Sequence, residues 1–128
     1  MRILLTGGTG FLGAYLLPLL ECHQVLLLGR GEGDFPCQNV SYHRCDLSDI
    51  GTWEKQVRDF HPDVAIHLAW TGLPDYSFPR CLENFNSSIN LVSLLASTGC
   101  KTIFMAGTCW EYGDISGQVK ETDIPGPM

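Results

Sequence analysis

The segment Thr6-Gly7-Gly8-Thr9-Gly10-Phe11-Leu12-Gly13 constrains the fold more than any other part of the chain. A short apolar run, residues 2–6 (RILLT), stops abruptly at it, and a stretch of helical length and apolar content, residues 11–22, leaves it. Run, glycine turn and helix together open a βαβ unit. In such a turn Gly7 supplies the tight bend, and Gly10 lets backbone approach a pyrophosphate. Gly13 lets the helix lie close to the sheet. Unpaired N–H groups at the helix start then favour an anion.

The rest of the chain repeats the alternation. Strands are expected over 24–29, 40–44, 64–69 and 101–106, with a loop over 31–39. Pro18 should kink or shorten the first helix. Ser48 and Asp49 are plausible N-caps for a helix reaching about Phe60, which His61-Pro62-Asp63 breaks. A loop over 71–79 precedes a long helix over 80–98, where Leu82, Phe85, Ile89, Val92, Leu95 and Ala96 recur at three-to-four spacing. Gly99 sits where a C-cap belongs. The expected fold is one α/β domain over 1–128, a doubly wound parallel sheet of order 3-2-1-4-5, with its ligand crevice beside strands 1 and 4.

Composition narrows the classes. Hydrophobic residues make up 45% and charged residues only 17%, as suits a sheet covered on both faces. A formal net charge of −6 and eight scattered Lys and Arg argue against a nucleic-acid or membrane-surface partner. No apolar run reaches the roughly 18 residues of a membrane span. The six cysteines have no C-x-x-C or zinc spacing, and the apolar pattern begins at the first residues, so reduced thiols and a cytoplasmic setting are expected, with no metal site.

The glycine pattern is TGxxGxxG, and other marks follow it in order: CDLSD after strand 3, HLAW at the end of strand 4, NFNSSINLVSLL on the long helix, and AGTCWEYGD after strand 5. The chain thereby resembles the extended short-chain dehydrogenase/reductase family, in particular its NAD-dependent epimerase/dehydratase branch. The resemblance implies an NAD(P) cofactor held by Gly7, Thr9, Gly10, Phe11, Leu12 and Gly13. It implies that Asp46, with Leu47, meets the adenine, that Leu68 and Ala69 lie along the cofactor, and that Asn84 faces its ribose. For Asp46 capping, and for Asn84 a surface position, are the alternatives.

The end of strand 2 bears on the choice of cofactor. An acid there hydrogen-bonds a ribose 2′-hydroxyl, whereas a nearby Arg accepts a 2′-phosphate. Gly29 stands in the acid's place and Arg30 follows, so NADP is expected over NAD. Glu32 is the counter-evidence, since a shifted turn would bring its carboxylate to the ribose.

The resemblance also implies hydride transfer, with a Tyr as acid/base, a Lys four residues on, and Thr108 orienting the substrate oxygen. Closing the strand-5 turn is the alternative role for Thr108. No Tyr-x-x-x-Lys is present: Tyr15, Tyr42, Tyr76 and Tyr112 are followed four places on by Leu19, Asp46, Arg80 and Ser116. KETDIPGPM resembles the lead-in to the family's Tyr. The chain is therefore expected to be an N-terminal portion without the substrate lobe or later strands, binding cofactor weakly and inactive alone.

For the whole protein the resemblance implies an epimerase, dehydratase or 4-keto reductase of a nucleotide sugar. A reductase of a non-sugar carbonyl and a non-catalytic NADP sensor are the alternatives. His67 is expected to be a buried, hydrogen-bonded structural residue. Trp70, Tyr76 and Trp110 are expected at the carboxyl edge, against a substrate ring or an absent lobe. Related enzymes dimerise through the 80–98 helix, which makes a homodimer possible.

Overall fold

The computed structural model describes residues 1–32, 35, 38–114 and 116–126. Parts of the expected 31–39 loop and of the PGPM tail, Cys37 and the Cys109 side chain lie outside them.

Five parallel strands form one sheet in the order β3-β2-β1-β4-β5: β1 (Arg2–Thr6), β2 (Gln24–Gly29), β3 (Val40–Arg44), β4 (Val64–His67) and β5 (Thr102–Met105). This is the expected doubly wound order. The central strands read as unbroken apolar runs because both of their faces are covered. Period-two geometry sorts each run into two cores. Leu4, Leu26, Leu28 and Ala65 pack with Trp53, Val57, Leu91, Leu94 and Leu95 on one face. Ile3, Leu5, Val25 and Leu27 pack with Leu20 on the other. Each fully buried leucine is worth roughly 1.5–3 kcal/mol.

The first helix is shorter than its apolar stretch. Helix α1 covers Phe11–Leu16, and the chain continues as a 3-10 turn over Leu17–Leu20 with Pro18 in its first positions. Pro18 offers no N–H to carry the α-ladder onward. Helix α2 (Glu54–Phe60) ends as expected at His61, whose φ of 48° closes it in the left-handed region. Its start differs from expectation. A 3-10 turn (Ile50–Thr52) precedes it, and neither Asp49 nor Trp53 makes a side-chain cap bond. Ser48 does not cap it either: it precedes the 3-10 turn, and its N–H and hydroxyl both donate to Asp46 Oδ1 at 2.9 and 2.8 Å.

Helix α3 (Phe78–Ser97) starts two residues before the expected boundary, since Pro79 is tolerated in a first turn whose N–H groups are unpaired anyway. It ends in a Schellman motif. Gly99, at φ +78°, donates to Ala96 O at 3.2 Å, and Cys100 N donates to Leu95 O at 3.1 Å. Strands β4 and β5 are shorter than expected. A 3-10 turn over Cys109–Tyr112, not expected from sequence, is closed by a capping box between Thr108 and Glu111. Beyond β4 the backbone leaves the sheet, and that departure shapes the site.

Candidate nucleotide-binding cleft

The carboxyl ends of β1, β2 and β4 open on a cleft of about 450 Å³, within the size range of small-molecule sites. It lies at the switch point where strand order reverses, the place ligands occupy in doubly wound sheets.

The glycine turn builds its floor. Gly7 sits at φ +74°, and a Cβ there would lie 2.7 Å from Ala69 N and 2.7 Å from the Leu68 carbonyl carbon. Only a residue without a side chain lets this turn rest on the 68–69 peptide. Gly13 solves a second crowding problem, because its Cβ would meet Gly7 O and Gly8 Cα at 2.4 Å. Gly10 is the N-cap of α1 and carries no side chain to satisfy the helix's first amides. Those amides are the orphan donors of any helix start and favour an anion.

Of the expected cofactor residues, Gly7, Thr9, Gly10, Phe11, Leu12, Gly13, Arg30, Asp46, Leu47, Leu68 and Ala69 all line this cleft. Gly29 lines it too, and its carbonyl accepts from Tyr42 Oη at 3.0 Å and Cys45 N at 2.9 Å. Glu32 does not line it; its carboxylate meets Arg44 at 3.2 Å, while Arg44 Nε donates to the Arg30 carbonyl at 3.1 Å. The two Ser48 bonds, reinforced by Arg30, hold the Asp46 carboxyl below the usual aspartate range, so it is ionised at neutral pH. Asp46 thus caps a local turn while lining the cleft; it does not cap α2.

Asn84 and Thr108 stand apart. Asn84 is buried rather than on the surface, and it does not line the cleft. Its Oδ1 accepts from Thr71 N at 2.7 Å, and its Nδ2 donates to Thr71 O at 3.0 Å and Arg80 O at 2.9 Å. One amide hydrogen goes to the loop after β4 and the other to the Arg80 carbonyl within α3, so the side chain clamps that loop to the helix. Thr108 is exposed; its hydroxyl accepts from Trp110 N at 3.3 Å, and its N–H donates to Glu111 Oε1 at 3.1 Å.

His67 is buried and hydrogen-bonded through both ring nitrogens, to Thr6 Oγ1 at 2.6 Å and Ser88 Oγ at 2.9 Å. Burial holds its pKa below the usual histidine value. Trp70, Tyr76 and Trp110 are all exposed, and of the three only Trp70 lines the cleft. Sequence reading missed the partnership of Thr6 with His67. Half of the signal was present, because a polar residue inside each of two apolar strands requires a partner; the register that pairs Thr6 with His67 comes from the sheet.

Cys22, Cys45, Cys81 and Cys100 are free thiols. No group of metal-ligating side chains occurs among the described residues, and no helix there is long and apolar enough to cross a membrane.

Fold and cleft together define a doubly wound α/β domain of the Rossmann type. Comparison with known proteins gives its family: the profile of the NAD dependent epimerase/dehydratase family matches residues 3–128, and the chain belongs to that family. Among curated proteins it is 25% identical to UDP-glucose 4-epimerase 2 of Oryza sativa subsp. japonica, covering 87% of this chain and 32% of that protein. It is 28% identical to dTDP-6-deoxy-L-talose 4-dehydrogenase (NAD(+)) of Aggregatibacter actinomycetemcomitans, covering 93% and 46%. It is 30% identical to methionine adenosyltransferase 2 subunit beta of Xenopus laevis, covering 99% and 38%. The chain thus spans about a third to a half of these relatives' length. Among solved structures, the Thermus thermophilus UDP-glucose 4-epimerase complex with NAD superposes with a TM-score of 0.81 at 26% identity, over 99% of this chain and 45% of that one. The Bordetella bronchiseptica enzyme WbmG in complex with NAD and UDP gives 0.85 at 23% identity, over 100% and 44%.

Proposed function

We propose that the cleft binds NAD(P), with NADP preferred, as the cofactor-binding portion of an enzyme acting on a nucleotide sugar. The observation that carries this reading is the uncapped start of α1 at Gly10, opening into a cleft flanked by Arg30 and Asp46. The turn from Gly7 to Gly13 offers amides to the diphosphate. Asp46 and Leu47 receive the adenine, and Leu68 and Ala69 run along the nucleotide. Arg30 meets a 2′-phosphate, and Gly29 leaves that side free of a carboxylate. Pairing of Glu32 with Arg44 supports the same preference, since it turns that carboxylate to an arginine outside the cleft lining.

When bound, the nicotinamide supplies or accepts a hydride at a sugar carbon of the substrate. In this reading Thr108 donates its hydroxyl hydrogen to the substrate oxygen, because the bond it makes within its turn uses only an acceptor site. The 128-residue chain has no Tyr-x-x-x-Lys, so it is proposed to bind nucleotide without turnover. The exposed Leu82, Phe85 and Ile89 on α3 support a homodimer through that helix in the whole protein.

Titration with NADPH and NADH, comparing wild type with Arg30→Ala, tests the reading. A loss of about tenfold for NADPH, against little change for NADH, is the size of one charge-assisted contact. Equal losses, or none, refute the NADP preference, and failure to bind either nucleotide refutes the cofactor reading. One observation favours a second reading, a non-catalytic NADP sensor: Thr108 lies outside the cleft lining with its hydroxyl engaged in a capping box. Turnover by the whole protein that is lost in Thr108→Ala would exclude the sensor.

A further inference from the structure

Burying an imidazole in an otherwise apolar strand is costly unless both nitrogens find partners. His67 has both, and the partners fix a direction. Ser88 Oγ donates its one proton to Asn84 O at 2.9 Å, so it accepts from His67 Nε2–H. The ring is then neutral, and Nδ1 accepts from the Thr6 hydroxyl. With its proton so used, Thr6 Oγ1 accepts from Ala69 N–H at 3.3 Å. A single directed series runs from the Ala69 amide through Thr6, His67 and Ser88 to the Asn84 carbonyl.

One end of that series lies on a wall of the cleft, and the other reaches the same wall through Thr71. Ala69 is its first donor. Asn84, whose carbonyl is its last acceptor, clamps Thr71 through both the N–H and the carbonyl of that residue. Ala69 and Thr71 each line the cleft, and Gly7 rests on the 68–69 peptide. We propose that Thr6, His67 and Ser88 form a one-way hydrogen-bond relay that fixes the wall segment 69–71, making His67 a positioning residue for the bound nucleotide. The relay acts through Ala69 and Asn84, and no relay side chain touches the ligand. An aliphatic residue at position 67 would fill the strand but leave the Thr6 hydroxyl without an acceptor. The inference rests on the reading of the cleft as a nucleotide site.

Two measurements test it separately: hydrogen exchange at the Ala69 and Thr71 amides without ligand, and NADPH affinity. Ser88→Ala and Thr6→Val break the relay at either side of the ring and leave the strand and helix otherwise filled. Each is expected to raise exchange at Ala69 and weaken NADPH binding about fivefold, the factor of one lost hydrogen bond. Ser88→Thr, which keeps the hydroxyl, restores both. Val57→Ala is the control for general loss of stability, since Val57 is fully buried in the α2–α3 core away from the cleft; its NADPH affinity is expected to stay within twofold of wild type. Wild-type exchange at Ala69 in Ser88→Ala and Thr6→Val overturns the relay. So does a loss of affinity in Val57→Ala equal to theirs. A wild-type protein that binds neither nucleotide refutes the proposed function, and the ligand-free exchange arm still decides the relay.

Discussion

Replacing Gly13 by alanine should separate the cost of folding the glycine turn from the cost of binding at it. The added Cβ would stand 2.4 Å from Gly7 O, 2.4 Å from Gly8 Cα and 2.7 Å from the Gly8 carbonyl carbon. All three are backbone atoms, so no side-chain rotation relieves the overlap, and either α1 or the turn must move. Overpacking of this kind costs about 1–3 kcal/mol, and contact with rigid backbone belongs at the upper end. Alanine regains about 1 kcal/mol of helix propensity over glycine. The net loss is therefore about 2 kcal/mol, which lowers the urea midpoint by about 1 M for a chain of this size. Gly10→Ala is the counterpart. Its Cβ would meet only Gly7 O, at 3.2 Å, and the residue adopts ordinary extended backbone. It should lower the midpoint by about 0.5 M, half the Gly13 effect, because alanine is a poorer N-cap than glycine by about 1 kcal/mol. Its effect should fall on NADPH affinity as well. A Gly13→Ala protein as stable as wild type would refute the packing argument.

Lowering the pH should weaken the fold through His67. Burial depresses its pKa in the folded state, so the unfolded chain takes up the proton first, near pH 6.5. The neutral ring's contribution is full above that pH and is lost as pH falls toward the folded value. Asp46 and Glu83 line the small polar space beside the ring. Thermal melts from pH 7.5 to 5.0 should therefore show a falling midpoint, with a shallower fall in His67→Gln. Asn84→Ala should cost about 2–3 kcal/mol, since it strands the Thr71 N–H and removes two further bonds, with exchange at Thr71 as the local readout. Cys45 is buried with its thiol pushed up to about 11, whereas Cys22 is exposed. At pH 8 iodoacetamide should label Cys22 and spare Cys45, as read by peptide mass spectrometry.

Sequence order and local glycine chemistry were enough to place the strands, because each apolar run ends at a residue with its own reason to end it. Gly7 turns the chain after β1, His61 closes α2, and Gly99 closes α3. Pro18 announced that α1 would be short. What stayed illegible depended on contacts between distant segments. Ser48 looks like a cap until the 3-10 turn over Ile50–Thr52 sets it apart from α2. Asn84 sits in a helical pattern that says nothing of the loop it clamps thirteen residues earlier. Turn closure by Thr108 was legible as its alternative role, and Thr-x-x-Glu supplies the capping box that performs it. The cleft's lining was the most legible part, since the eleven expected residues that line it all lie in segments leaving the ends of β1 to β4.

The meeting of Gly7 with the 68–69 peptide has a consequence for how such a pocket diversifies. Its base is main chain against main chain, and point substitution cannot recontour main chain without moving two strands at once. The border, by contrast, consists of replaceable groups such as Arg30, Trp70 and Leu73. Selectivity can therefore be rewritten around the perimeter while the foundation is inherited unchanged.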